Sequence, residues 1–276
     1  MEKKIFALVV TASFLFLGIS ALAAKPDFSD EDSFNLPSSA IKIKDGVYSL
    51  GKAYDPETNK LVEGYAFVRF QKNIKKNTIP DSTTISLCYG FLAEGAKWTT
   101  EENWLLNPKN RRGLSNNFLL NNTTFNISKW ENAADGTLDD SSINILGNGT
   151  LTSLKLKADT ARPDNKNEVY FANVSYPGAI AVTIIWGVFD GPIENRVLVE
   201  WDQIYDDRDY NWSSTGEAGK MDFENIATHE LGHSVGLDDQ YDSTCGEVTM
   251  YGYAGYGEIN KRTLETPDVL GISTLY

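Results

Sequence analysis

The chain has 276 residues, of which 41% are hydrophobic and 23% charged, and its formal net charge is −13 at pH 7. That length suits one large or two small domains, each able to bury a core. So negative a balance repels phosphate, which argues against a nucleic acid or an anionic membrane surface as partner and suits a soluble, exported protein.

Residues 1–24 read as a secretory signal peptide. Lys3 and Lys4 precede an apolar stretch from Ile5 to Ile19, and Ala21-Leu22-Ala23 forms an A-x-A cleavage site. The stretch is shorter than the roughly 18 residues a spanning helix needs, and nothing downstream approaches that length. An uncleaved N-terminal anchor is the alternative. After a polar lead-in to about residue 40, Ile41-Lys42-Ile43-Lys44 alternates as a strand does, Asp45-Gly46 makes a turn, and Val47 to Leu50 continues the pattern. The turn-forming Asp55 to Asn59 separates this from Leu61 to Phe70, rich in strand formers, and Ile85 to Leu92 is a further candidate. Residues 25–96 are thus a small β-rich region: a pro-segment, an accessory domain, or extra strands of the C-terminal domain.

Beyond it, Trp98 to Leu106 reads as a strand. Ser115 caps a long helix reaching Ala134, with Trp130 on its core side. Ser142 to Ile145, Asn167 to Ala172, the β-branched run Ile180 to Trp186, and Arg196 to Ile204 are predicted strands. Asp222 is a good N-cap for a helix running to about Val235. Thr266-Pro267-Asp268 supplies an N-cap, a proline at N1 and a first-turn acid for a closing helix, Val269 to Leu275.

Both histidines of the chain fall in the helix after Asp222, as His229-Glu230-Leu231-Gly232-His233. Side chains at i and i+4 share one helix face, so both imidazoles can reach one ion, and Glu230 lies about 100° further round. That is H-E-x-x-H: two zinc ligands and a general base. A zinc site that keeps an open position needs a third ligand. Gly236 can end the helix in the left-handed conformation, and Asp239 comes next with a carboxylate. The pattern resembles the metzincins, H-E-x-x-H-x-x-G-x-x-H followed by a methionine turn, at His229, Glu230, His233 and Gly236, with Thr249-Met250-Tyr251 matching the turn. Asp239 stands where the third histidine is usual, which is closer to snapalysin-type metzincins. Gly252 stands where matrixins usually have proline. From about Lys97 to the end the chain resembles a matrixin-like catalytic domain, so residues 97–276 are expected to form it behind the 25–96 region.

The resemblance implies an α+β fold: a mixed twisted sheet, a long helix and an active-site helix. It implies that Ile180 to Trp186 borders the cleft, where an edge strand could take up an extended peptide; the alternative, which the residues alone slightly favour for most of its side chains, is an ordinary core strand. It also implies one catalytic zinc on His229, His233 and Asp239 carrying a water, and Glu230 to take that water's proton and pass it to the leaving amine. Met250 packs beneath the ligands. The expectation is a secreted or cell-surface zinc endopeptidase, monomeric, acting on protein or peptide. The alternatives are a protease dedicated to its own N-terminal segment and a catalytically silent surface or adhesion module with a structural zinc. Matrixins can cap zinc with a cysteine in P-R-C-G-x-P-D; Cys88-Tyr89-Gly90 lacks that context. In an exported protein the two cysteines, Cys88 and Cys245, suggest a disulfide, with two buried thiols as the alternative. No histidine is left for a second zinc. Asp202, Asp206, Asp207 and Asp209 could hold calcium through oxygen ligands or form a solvated acidic loop.

Overall fold

The computed structural model describes residues 33–72, 87–138 and 143–276. The signal peptide expected at 1–24 lies outside them. Twelve strands and three helices succeed one another as β1 (Ser33–Phe34), β2 (Ile41–Lys44), β3 (Val47–Tyr54), β4 (Leu61–Gln71), β5 (Glu102–Leu106), α1 (Asn116–Ala133), β6 (Leu146–Leu151), β7 (Asn167–Val174), β8 (Ala179–Val188), β9 (Val197–Asp206), β10 (Trp212–Ser213), β11 (Met221–Asp222), α2 (Phe223–Ser234), β12 (Tyr253–Ala254) and α3 (Thr266–Leu275).

One large mixed sheet organises them, in the order β2-β3-β4-β8-β9-β7-β5-β6, with β1 added to β7 and β12 to β4. This is the α+β architecture expected. The sheet divides two cores. On one face Trp104, Trp201 and Phe67 pack against Trp130 of α1, Leu231 of α2, Met250 and Ile272 of α3. On the other, Val62, Val182, Trp186 and Ile204 close under Phe34 and Tyr48. A strand covered on both faces must be apolar throughout, and β8, Ala-Ile-Ala-Val-Thr-Ile-Ile-Trp-Gly-Val, is buried at every position except its last.

The pairing of β8 decides between readings that the residues alone leave open. This strand is not an edge strand, because β9 pairs with one side and β4 with the other, Tyr65 opposite Ile185, Phe67 opposite Thr183 and Arg69 opposite Ala181. The strands of the N-terminal region are therefore hydrogen-bonded into the same sheet as the strands of the C-terminal domain. Other boundaries shift too. The strand read from Trp98 begins at Glu102, and Trp98 instead donates its indole N–H to the Ser234 carbonyl at 2.7 Å. Leu146–Leu151 is the strand in place of Ser142 to Ile145, and of Ile85 to Leu92 the described residues run as loop, with one bridge from Phe91 to Leu237. The cap of α3 is Glu265 rather than Thr266, its amide bonded to Asp268 Oδ2 at 2.9 Å. Among the described residues no helix is long and apolar enough to cross a membrane.

Candidate metal centre

The centre begins with the start of α2. Asp222 accepts from the Asn225 amide at 3.0 Å, and Arg262 grips the same carboxylate through Nε and Nη2 at 2.8 and 2.7 Å. The helix so anchored presents His229 and His233 on one face, and Gly236, at φ +103°, turns the chain back toward them. His229 Nδ1 meets the Thr249 carbonyl at 2.7 Å and His233 Nδ1 the Leu237 carbonyl at 2.9 Å. Donation from each Nδ1 leaves each Nε2 a bare lone pair, the tautomer a metal ligand needs. Both Nε2 atoms face Asp239 Oδ1, at 3.2 and 3.6 Å. Ligands on a tetrahedral zinc with bonds of about 2.0–2.1 Å stand roughly 3.3 Å apart, so the spacing suits that ion.

The polar atoms make the same point. His229 Nε2, Asp239 Oδ1 and Glu230 Oε1 are buried with no hydrogen-bond partner, although buried polar groups ordinarily have one. A cation among the first two, with a polar reactant beside the third, would satisfy all three. Burial and the Arg69 guanidinium push His229 down to about 3, which keeps its imidazole neutral. Burial raises the Glu230 carboxyl, and Glu230 Oε2 accepts from the Thr183 hydroxyl at 2.5 Å. For Asp239 the two imidazoles outweigh burial and hold its carboxyl well below the usual range.

Residues 198–276, which contain His229, Glu230, His233 and Asp239 but neither Arg69 nor Thr183, match the matrixin family model. The chain carries a matrixin-like metzincin domain. The match supports a zinc metallopeptidase type of function, and the family implies zinc and peptide substrates. No curated protein matches the chain.

In the matrixin-like domain the methionine turn is held from α3: Asp268 accepts from the Thr249 amide at 2.9 Å and the Met250 amide at 3.2 Å. Met250 then lies so close to α2 that a Cβ on Gly232 would sit 2.2 Å from its Sδ. The glycine inside the histidine motif is thus required by packing. Gly252 has a similar reason. A Cβ there would lie 2.3 Å from the Tyr241 ring, and Tyr241 uses its hydroxyl to donate to Asp239 Oδ2 at 2.9 Å. Where matrixins usually have proline, this domain seats a tyrosine that orients Asp239, the candidate third ligand. Cys88 and Cys245 are joined by a disulfide (S–S 2.04 Å), tying the segment before β5 to the loop after Asp239.

The four acids read as a calcium candidate do not gather round one point. Asp202 accepts from the amides of Asp159 and Glu168, Asp206 from those of Arg208 and Asp209, and Asp207 pairs with Arg111 at 2.6 Å.

The centre is also covered. β4 runs antiparallel to β8 and parallel to β12, filling the space between them. Its Phe67 stacks on the His233 ring with centroids 4.2 Å apart, and its buried Arg69 donates Nη1 to the Tyr251 carbonyl at 3.0 Å. The β2–β3 turn adds to the lid: Gly46 packs on the Tyr241 hydroxyl, and Lys44 pairs with Asp238. His229 and Glu230 are 0% exposed, His233 1% and Asp239 6%. Of the residues that build this centre, Phe67, Arg69, Thr183 and Tyr241 carry no motif that marks them in the sequence, and Asp268 is marked there only as the first-turn acid of α3. Tyr251 and Tyr253, the tyrosines beside the methionine turn, are not the ones that touch a ligand. The aromatic two residues after Asp239 is the available signal, since it alternates onto the same side as that carboxylate.

Proposed function

We propose that this chain is a secreted zinc endopeptidase whose substrate-strand position is filled by its own β4 until that segment is released. The observation that carries the reading is the convergence of His229 Nε2, His233 Nε2 and Asp239 Oδ1 beside the Glu230 carboxylate. Zinc held by those three residues would supply Lewis acidity for polarising a peptide carbonyl. Glu230, raised by burial and positioned by Thr183, would accept the proton of the attacking water and return it to the leaving amine. An extended peptide pairing with β8 would take the place β4 holds, main chain to main chain. A purely structural zinc has no need of a carboxylate at that position, so Glu230 favours catalysis over a silent module.

The enclosure of the site does support one further reading, a silent module with β4 as a permanent strand. A single experiment separates the two. A protease site is placed between Gln71 and Cys88 of the full chain, and cut and uncut protein are compared for casein hydrolysis and zinc content, beside Glu230→Gln. The endopeptidase reading expects hydrolysis from the cut chain alone, with one zinc in both the cut chain and the cut Glu230→Gln chain. Zinc binding without hydrolysis after β4 has been removed points to the silent module, and absence of zinc overturns both.

A further inference from the structure

Successive side chains of a strand alternate between its faces, so Arg69 shares with Phe67 the face of β4 that is turned to α2. Arg69 is 1% exposed. Its Nη1 donates to the Tyr251 carbonyl at 3.0 Å, while Nε and Nη2 are buried with no hydrogen-bond partner. A guanidinium keeps its charge at any ordinary pH, so this is a fixed positive charge held out of water. Burial works against that charge, and the carboxylates that work for it are Glu230, Asp239 and Glu258, in that order. Glu258 is already paired with the buried Lys261. What remains to balance Arg69 is therefore Glu230 and Asp239, the candidate base and a candidate ligand of the centre.

We propose that Arg69 and a zinc ion compete for the same two carboxylates, so that zinc loading is the signal that loosens β4. The inference rests on the endopeptidase reading in taking β4 as the segment that must leave. Zinc held by His229, His233 and Asp239 would use up the charge of Asp239 and set a dication beside Glu230. Arg69 would keep its desolvation and lose its compensation, and a buried charge left unpaired is strongly destabilising. Such coupling is reciprocal: by whatever factor a seated β4 weakens zinc, zinc weakens the seating of β4. The strand is built to yield at this point. Its register against β8 shifts between Arg69 and Phe70. Beyond the shift the Gln71 amide donates to the Gly178 carbonyl at 3.1 Å and the Lys72 amide to the Ala254 carbonyl at 2.8 Å. Those end bonds can open while the ladder from Glu63 to Val68 stays closed. Closure by the Phe67 ring alone would carry no such antagonism, because a neutral ring has no charge for zinc to oppose.

The test is amide hydrogen exchange on the uncut full chain with and without zinc, read separately in α2 and at the end of β4. A ligand that only stabilises the folded state slows exchange throughout. Competition gives opposite signs in one molecule. With zinc the amides of α2 should exchange more slowly, and those of Gln71 and Lys72 faster by roughly 5–150-fold, the range of coupling between linked sites. Arg69→Met should abolish the acceleration in β4 and keep the slowing in α2. Arg69→Lys, which keeps the charge, should keep the acceleration. The signs in the wild-type chain decide the matter even if the Arg69→Met chain does not fold. Slowing in α2 and β4 alike, or an acceleration that survives in Arg69→Met, overturns the competition and leaves the endopeptidase reading to the cut chain. Absence of zinc binding overturns both.

Discussion

Phe67 of β4 lies almost flat on the imidazole of His233, the rings inclined by 23° with centroids 4.2 Å apart. A residue of the N-terminal region thus touches a metal-ligand candidate of the C-terminal domain, and nothing that reacts at this centre can do so without meeting β4. The neighbouring inward-facing residue, Arg69, is wholly buried with Nε and Nη2 unpartnered. Its guanidinium sits in the field of Glu230 and Asp239 and depresses His229. A fixed positive charge there opposes a dication. Arg69→Met in the uncut chain should therefore bind zinc tighter by about tenfold or more, measured by chelator competition. Unchanged or weaker binding would show that β4 closes the centre by sterics alone.

Glu230→Gln keeps the volume and the Thr183 contact but not the basicity. In the chain cut between Gln71 and Cys88, kcat should fall by about 10²–10⁴-fold, the range for loss of a general base, with zinc content unchanged. A loss of zinc in step with activity would mean that Glu230 is a ligand rather than a base.

Tyr241→Phe removes only the donor at 2.9 Å from Asp239 Oδ2. Groups that orient a metal ligand typically contribute 10–100-fold in affinity, so zinc dissociation constants should rise by about that factor. Asp239→Ala should cost more than Tyr241→Phe, and the double variant should add nothing to Asp239→Ala.

Gly232→Ala forces a Cβ to within 2.2 Å of Met250 Sδ and 2.9 Å of the Trp130 ring. Overpacking of this kind costs about 1–3 kcal/mol, to be read from denaturant midpoints. Pairing it with Met250→Ala should recover part of the loss. If the single variant is as stable as wild type, the close approach of the methionine turn to α2 is not what fixes glycine at that position.

Glu200 of β9 meets Asp159 and Asp164 of the β6–β7 loop, and this cluster of acids gives a pH signature. The Glu200 carboxyl rises from an ordinary 4.5 to about 8 in the folded chain, and Asp159 rises to about 6. A raised acid favours the folded state while protonated, so this stability is full below about pH 4.5 and drains away as pH climbs to about 8. Asp164, Asp202 and Glu168 add to the repulsion, and Lys157 and Lys166 oppose it. The thermal midpoint should decline from about pH 5 to about pH 8. Glu200→Gln should flatten that decline.

What can be read from the sequence is what short-range geometry determines. Two histidines four apart on a helix, a capping aspartate, a glycine to turn the chain and an aspartate beyond it are related by the helix itself, and the structure places His229, His233 and Asp239 together. The cap of α1 by Ser115, which accepts from the Phe118 amide at 3.2 Å, is equally local. Pairing between distant strands has no such signature. The composition of β8 shows that both its faces are buried, yet says nothing of which strand pairs with its second edge, so the sequence leaves open whether β4 joins that sheet or stands apart from it. Gly252 and Tyr241 illustrate the same limit. Each is ordinary alone, and their meaning lies in a ring packed against a missing side chain.

The bridge between Cys88 and Cys245 spans a sequence separation of 157 residues and encloses α1, β5 to β9 of the large sheet and all of α2. On the chain-entropy account a crosslink of that span contributes roughly 5 kcal/mol, comparable to the whole net stability of many domains. Metal affinity in this protein should then record its redox history. Material made where thiols stay reduced would leave the stretch bearing Asp239 and Tyr241 without its covalent anchor, and a zinc-free preparation of that kind would report the compartment of synthesis rather than the ligands. Loading the metal before and after oxidative refolding would distinguish the two.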